Sequence, residues 1–479
     1  MDENPSKLRN KMVYFIVSVA PPMDQAQYQA KCLQQLQQSV AQLGGDPDSP
    51  VLTETAELII RSMTGPWRSF HTPQHIFDVG RGGSAVEVLA ALFHDMVYVQ
   101  VDQGIHVNLS RYIAPYVRED EMALVIDPEP GSADELFEAL MTLFGFSHGQ
   151  KLSPFAGQNE FLSALVGVKA LSSILPTSAL VQIAACIEAT IPFRAASPEG
   201  LTCSEQLHQR LLTVSQRLSL GLDAQECTRI VEKCVRVANR DIDNFGSENP
   251  ADFLNNTWNL IPETNHGLLN ASTYTVNGYR VALQKMEGFL SFLNPEVVFR
   301  RFGDEPSEDV HQQRLQLTRR NLEVARLYLR VKLLSIGVLE ALSLRIGHNV
   351  SLTSLMGERP MPGELSVRIE DLLPTVDKPY QPQNDIEKHV MHLLESGRTE
   401  DTPHDTRHSP VGTFMARLKG FDECLRLVGI ARTFFNDPTK AGELLDAAGP
   451  TIVDGIVQGI VTVMRSRTDA ISAVADAPH

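Results

Sequence analysis

The sequence predicts an all-α protein, and three observations lead to that prediction. Apolar residues recur at the i, i+3, i+4 spacing of an amphipathic helix in successive windows along the chain. Gly, Pro, Ser and Asp separate these windows, which is typical of helix ends and caps. Runs that alternate apolar and polar residues are few, and residues 271–276 form the best short strand candidate.

The predicted helices follow one another along most of the chain. A glutamine-rich segment at 25–38 has apolar positions between its amides, which predicts a surface helix. A long helix rich in arginine is predicted at 313–342, with its charges on a solvated face. The other helical windows lie at 51–63, 85–98, 135–144, 160–171, 178–189, 204–218, 224–237, 411–435 and 451–467.

Composition shifts suggest three parts. We expect an N-terminal segment at 1–44, a catalytic domain at about 45–305 and a helical C-terminal region at 306–479. A proline-rich linker is predicted near 373–410, from prolines at 373–383 and loop composition at 397–410. The second stretch contains a His404-Asp405 pair, which we interpret as a chance pairing in a loop.

Charge and cysteine content exclude several classes of function. The net charge is -16 over 479 residues, which disfavours binding to long nucleic acids. Six scattered cysteines without a C-x-x-C pair suit a reducing compartment, so a cytoplasmic location is expected. No apolar run approaches the roughly 20 residues that span a bilayer, so no membrane partner is expected. The apolar run at 12–20 is interpreted as a buried strand or helix edge, because acidic Asp2 and Glu3 and the Pro21-Pro22 flank do not suit a signal segment.

The chemistry is concentrated in two short motifs. The sequence FHTPQHIFDV starts at Phe70, and ALFHD ends at Asp95. His71 and His75 are four residues apart, and Thr72-Pro73 has the form of a helix N-cap followed by proline. Imidazole and carboxylate groups together suit Mn, Fe, Zn, Co or Mg, and such an ion can activate water and neutralise a phosphoryl group.

These motifs resemble the HD superfamily of metal-dependent phosphohydrolases, and the first is similar to the signature of class I cyclic nucleotide phosphodiesterases. The resemblance implies an HD-domain helical bundle that holds one or two divalent ions. It implies His71 as the general acid and His75, His94 and Asp95 as metal ligands. A distant aspartate should complete the ligand set, and Asp241 is our choice, with Asp243 as the alternative.

Further candidates come from a stretch that resembles the lining of the site in several HD enzymes, at residues 187–194. Glu188 lies on an apolar helix, where it could act in catalysis by orienting a metal-bound water or a second ion. Arg194 and Arg68 are candidates to bind the phosphate of the substrate, because guanidinium groups hold phosphate in a bidentate manner.

Departures from the phosphodiesterase pattern leave the substrate open. Thr72 stands where those enzymes have asparagine, and Met286 stands where they have the glutamine that binds the purine. We therefore expect a small phosphate-ester substrate, a nucleotide-type phosphodiester in the first instance. The alternatives are a phosphomonoesterase or nucleotidase on the same site, or a non-catalytic regulatory or scaffold protein with a degenerate site. A homodimer through 313–342 is a further alternative to an intramolecular helix pair.

Overall fold

The computed structural model describes residues 23–120, 123–128, 134–270, 274–348, 350–357 and 367–475. Helix makes up 68% of the structure and strand 4%, which confirms the all-α class. The predicted element at 12–20 and the first part of the strand candidate at 271–276 lie outside the described residues. The described end of that candidate is not a strand, because a helix begins at Val276.

The first half of the chain contains eleven helices and one hairpin in its described residues. Side-chain caps start several of these helices: Asp24, Thr202 and Asp223 each accept a backbone N–H in a capping box. The elements are α1 Gln25–Gln42, α2 Pro50–Met63, α3 Pro73–Gly80, α4 Ala85–Phe93, α5 Val99–Asp102, α6 Ser110–Ile113, β1 Val117–Asp120, β2 Ala123–Ile126, α7 Glu135–Phe144, α8 Gln158–Leu171, α9 Thr177–Ala189, α10 Cys203–Arg217 and α11 Ala224–Asp241.

The second half of the chain is helical as well. Its elements are α12 Pro250–Leu260, α13 Val276–Phe292, α14 Glu308–Ser343, α15 Leu352–Met356, α16 Asp385–Ser396, α17 Pro410–Lys419, α18 Phe421–Asn436, α19 Ala441–Ala448 and α20 Pro450–Ala475. Within the described ranges, no single helix is both long and apolar enough to cross a membrane. The segments Pro438–Ala448 and Pro450–Ser466 reach that composition only as a pair, bent by 111°.

The first hydrophobic core is built around α9, whose side chains are buried on nearly every side. Helices α4, α8 and α11 pack against α9, and α3 packs against α4 and α11. Helix α1 contributes Cys32, Leu36 and Val40 to the same core, packed on α2 and α4. The described part of the predicted N-terminal segment, residues 23–44, therefore contributes its helix to the first core.

The second core surrounds α14, a helix of 36 residues that packs against α13, α16 and α18. The solvated face predicted for this helix is found only in its first half, where Arg319 is exposed and pairs with Glu296. From Asn321 onward most side chains are buried, because neighbouring helices cover the helix. The core changes between Ala238 and Phe245, so the predicted domain boundary near 305 falls within the chain segment that builds the second core.

Two predicted helices differ from the structure in their bounds, and one strand pair was not predicted. The predicted helix at 85–98 ends at Phe93, and the two residues that follow form a turn. The predicted helix at 411–435 is two helices, because Gly420 adopts φ +79° and the ring of Tyr380 occupies the place of a side chain there. The antiparallel pairing of β1 with β2 was not predicted, since its short strands show no regular alternation.

The predicted linker at 397–410 is a buried connection rather than an exposed one. Arg398 and His404 are each 2% exposed and Asp405 is 8% exposed. The carboxylate of Asp405 lies 3.0 Å from the Lys332 ammonium and 3.4 Å from the Arg398 guanidinium, and it accepts a hydrogen bond of 2.9 Å from the Trp258 indole. The His404-Asp405 pair thus belongs to an internal ion-pair network, and no second metal-ligand cluster forms there among the described residues.

This network predicts a large loss of stability for Asp405→Asn. Burial raises the pKa of Asp405, but the charges of Lys332 and Arg398 outweigh it and lower the pKa to about 2, so the carboxylate is charged at neutral pH. Removing that charge leaves two buried cations without their anion, and we expect the free energy of unfolding to fall by about 3–5 kcal/mol. Urea denaturation at neutral pH measures it, with the exposed Asp385→Asn as the matched control. Equal stability of the two variants would contradict the prediction.

Candidate metal centre

Four of the predicted site residues meet at one point in the first core. His75, His94, Asp95 and Asp241 each present a ligand atom within 4.8 Å of the other three. The Nε2 atom of His75 lies 3.0 Å from Asp241 Oδ1 and 3.3 Å from Asp95 Oδ2. The Nε2 atom of His94 lies 2.9 Å from Asp95 Oδ2 and 3.3 Å from Asp241 Oδ1. Asp243, the alternative ligand, is 64% exposed and pairs with Arg314 instead.

The local sequence explains why these side chains converge. Thr72 is the N-cap of α3 and Pro73 its first residue, as the sequence predicts, and this places His75 in the first turn. Helix α4 ends one residue before His94, so His94 and Asp95 occupy a turn in which both can face one point. Asp241 is the last residue of α11, whose apolar face packs on α9 in the same core as α4.

The orientation of the donor atoms suits a cation. The Nδ1 atom of His94 lies 2.8 Å from the carbonyl oxygen of Ala91, which accepts its proton and leaves the Nε2 lone pair facing the centre. Asp95 Oδ2 is buried and faces both imidazoles, 2.9 Å from His94 Nε2 and 3.3 Å from His75 Nε2. Two imidazole nitrogens and two carboxylates form a donor set that fits a first-row divalent ion or Mg²⁺.

Without an ion, the electrostatics of the cluster favour protonated histidines and ionised aspartates. Burial lowers the pKa of His75, but hydrogen bonds and charges from Asp241 and Asp95 outweigh burial and raise this pKa to about 9. Burial raises the pKa of Asp241, but the His94 charge and the hydrogen bonds of both histidines lower it to about 2. Protons on the histidines therefore balance the two carboxylates, a role that a bound cation would take over.

This balance predicts that ion binding releases protons. A metal ligand must be deprotonated, and the raised pKa of about 9 means that His75 carries a proton at neutral pH in the metal-free protein. The affinity for Mn²⁺ should therefore rise about tenfold per pH unit for each released proton, up to a pH near that pKa. Calorimetric titration in two buffers of different ionisation enthalpy counts the protons. An affinity for Mn²⁺ that stays constant across this range would contradict the prediction.

His71 lies beside the cluster and is held by a residue that the sequence did not indicate. Its Nδ1 atom lies 2.5 Å from Oε2 of Glu263, which is completely buried. The other oxygen of Glu263 accepts the backbone N–H groups of Ser69, Phe70 and His71 at 2.7–2.9 Å. Burial raises the pKa of Glu263, but the charge of His71 and these hydrogen bonds outweigh it and lower the pKa. An anionic carboxylate therefore fixes both the ring and the backbone of His71.

Arg68, predicted to bind the phosphate of the substrate, has its donors engaged within the protein. Its guanidinium forms a bidentate pair with Asp102, at 3.0 and 2.6 Å. It also donates to the carbonyl oxygens of Asp95 at 2.7 Å and Met96 at 3.4 Å. Since these contacts occupy its donors, Arg68 holds the backbone of Asp95 and is not free to bind phosphate.

Glu188 also differs from its predicted catalytic role. It is fully buried, and its Oε1 atom accepts hydrogen bonds of 2.6 Å from both Arg194 and Arg210. Burial raises the pKa of Glu188, but the charges of these arginines outweigh it and lower the pKa. The carboxylate is therefore committed to an ion-pair cluster. Arg194, predicted to bind substrate, shares that cluster and keeps 23% of its side chain exposed.

Glu160 is a further acidic residue near the centre that the sequence analysis did not single out. Burial raises its pKa to about 7, and the charges of Asp95 and Asp241 add to that shift. Its Oε2 atom is buried and forms no hydrogen bond with the residues that the structure describes. A carboxyl group in the first turn of a helix as fully buried as α8 is the sequence signal that could have identified it.

Comparisons with protein-family models, with curated proteins and with solved structures found no match.

Proposed function

We propose that this chain is a metal-dependent phosphohydrolase that cleaves a nucleotide-type phosphodiester. The observation that carries the proposal is the convergence of His75, His94, Asp95 and Asp241 within 4.8 Å, from three separate segments. Four largely buried ionisable groups at one point can share a cation, which would replace the protons that balance the two carboxylates in its absence. A divalent ion, or a pair of ions, is the partner that this donor set fits best.

The four ligands and the groups around them would each perform a different part of the reaction. A bound divalent ion would supply Lewis acidity, polarising the phosphoryl oxygen and activating water. His71 would protonate the departing oxygen from Nε2, since Nδ1 is engaged by Glu263. Glu263 would keep the ring oriented and offer a negative partner to its protonated form.

Glu160 is our candidate for the group that accepts a proton from the attacking water. A general base works best when its pKa lies near the working pH, and burial raises the pKa of Glu160 to about 7. Its Oε2 atom has no hydrogen-bond partner among the described residues, so this oxygen is available. Arg68 would contribute indirectly, by holding the carbonyl oxygen of Asp95 and so the direction of that ligand.

The proposal is tested by hydrolysis of bis-p-nitrophenyl phosphate with added Mn²⁺. We expect turnover that requires the metal and is lost by about 1,000-fold or more in His94→Ala. His106→Ala is the matched control, because His106 is exposed and is not one of the four clustered residues. Parallel assays with p-nitrophenyl phosphate separate a diesterase from a monoesterase. Equal activity of His94→Ala and the unaltered protein would refute the metal-site assignment.

A further inference from the structure

A group of arginines next to the metal centre carries more positive charge than its surroundings balance. Arg194 and Arg210 both donate to Glu188, at 2.6 Å each, and the Arg300 guanidinium lies in the same cluster. The three guanidinium groups thus surround the carboxylate of Glu188, and Glu160 is a further carboxyl group whose charge acts on Arg194. The Nε atoms of Arg194 and Arg210 are buried and form no hydrogen bond with the described residues. Such an excess of donors and of charge is what an anion-binding site requires.

Among the described residues, Arg194 and Arg210 form ion pairs with Glu188, whereas Arg300 has no carboxylate within ion-pair distance. Its side chain makes one hydrogen bond to the described residues, from Nη2 to the carbonyl oxygen of Ile191. Burial lowers the pKa of Arg300 to about 10, and the nearby charge of Arg194 acts in the same direction. Arg68 shows the contrast, since an aspartate, a methionine sulfur and two carbonyl oxygens accept from its donors. An arginine with a purely structural role is expected to have protein acceptors for its donors, as Arg68 does.

Two observations link this cluster to the elements that carry the metal centre. The backbone of Arg300 exchanges two hydrogen bonds of 2.9 Å with the side chain of Asn239 in α11, the helix that ends at Asp241. The charges of Asp95 and Asp241 raise the pKa of Glu160, and the charge of Arg194 lowers it. The arginines therefore flank the same region of the site as Glu160.

The loop that carries Arg194 also packs on the helix that carries Glu160. Gly157, with φ +88°, is the residue before α8, and a Cβ there would lie 2.4 Å from Cδ1 of Ile191. The positive φ favours glycine, and without a side chain at this position Ile191 lies close to the start of α8. The contact holds the segment with Ile191 and Arg194 against the start of α8, next to the proposed reaction site.

We propose that Arg300 and Arg194 form an anion subsite that binds a second phosphate of the substrate. The preferred substrate is then a phosphodiester that also bears a phosphate monoester, and not a diester with a single negative charge. The scissile diester would lie at the metal ligands while the additional phosphate pairs with the guanidinium groups. This inference rests on the proposed phosphodiesterase function for the identity of the scissile bond.

The test compares two substrates that differ only in the additional phosphate, the thymidine dinucleotide TpT and its 5′-phosphorylated form pTpT. We expect the unaltered protein to favour pTpT in kcat/KM. Arg300→Gln should lower the ratio of the two kcat/KM values by about 10- to 100-fold, the loss expected for charge-assisted hydrogen bonds. The matched control is Arg301→Gln, because Arg301 is the next residue but is partly exposed and pairs with Glu308. An unchanged ratio in Arg300→Gln would overturn the proposal.

A second measurement separates failure of the subsite from failure of the proposed function. Calorimetric titration of the metal-free protein with inorganic phosphate needs no turnover. Weaker phosphate binding in Arg300→Gln and in Arg194→Gln, but not in Arg301→Gln, would support the anion subsite even if no phosphodiester is hydrolysed. Phosphate binding that is the same in all four proteins would refute the subsite. Thermal melting of each variant establishes that it is folded before it is compared.

Discussion

Replacing Asp241 with asparagine is expected to lower Mn²⁺-dependent phosphodiester hydrolysis by about 1,000-fold or more. The Oδ1 atom of Asp241 contacts the Nε2 atoms of both His75 and His94, at 3.0 and 3.3 Å, so it lies at the centre of the cluster. Asparagine keeps the shape but removes the negative charge that a divalent ion needs. Calorimetric titration with Mn²⁺ should show the loss of binding alongside the loss of hydrolysis.

Asp243→Asn provides the matched control for this prediction. Asp243 lies two residues further on, 64% exposed, and its partner is Arg314 on the surface. We expect its substitution to leave metal binding and hydrolysis within about twofold, because exposed ion pairs contribute little. If Asp243→Asn lost the metal and Asp241→Asn retained it, the ligand set would have to be reassigned.

The family resemblance, which places an aspartate at the close of such a helix, is the basis for choosing Asp241 over Asp243, and the periodicity of α11 agrees with that choice. Cys234, Ala238 and Asp241 lie on one face of α11, and the first two are buried in the core. An aspartate that continues this face at the end of the helix is directed towards the core. Asp243 follows the helix end and leaves that face, so the pattern favours Asp241.

Residues that act through distant contacts could not be predicted in the same way. Glu263 lies 192 residues from His71, and only the packing of the chain brings its carboxylate to the imidazole. Arg68 carries a positive charge suited to phosphate, but in the folded chain its guanidinium forms an ion pair with Asp102. The local sequence pattern shows which face of a helix is buried. It does not show which side chain from a distant part of the chain contacts that face.

The same limit applies to the loop at 397–410. Its composition is that of an exposed linker, yet Arg398 and Asp405 are buried. Asp405 is buried with two cations as partners, Arg398 from the same loop and Lys332 from a helix far away in sequence. The composition of this loop therefore indicated correctly that it is not helical, but it did not indicate that its residues are buried.

Replacing His71 with alanine is expected to keep metal binding while lowering the hydrolysis of nucleotide substrates by about 100- to 10,000-fold, the usual range for general acid catalysis. His71 is not among the four clustered ligand residues, and its Nδ1 contacts Glu263 rather than either aspartate. Calorimetry with Mn²⁺ and turnover of TpT or pTpT measure the two effects separately. Loss of metal binding in His71→Ala would contradict the assigned role.

The dependence on the leaving group gives a sharper test of that role. A nucleoside alkoxide needs a proton in order to depart, whereas p-nitrophenolate departs readily without one. His71→Ala should therefore affect dinucleotide hydrolysis far more than hydrolysis of bis-p-nitrophenyl phosphate. Glu263→Gln should show the same pattern with a smaller loss, about 10- to 100-fold, because it disturbs only the orientation and the charge partner of the ring. Glu296→Gln, at an exposed ion pair with Arg319, is the control. An equal loss on both kinds of substrate would indicate that His71 positions the substrate and does not donate the proton.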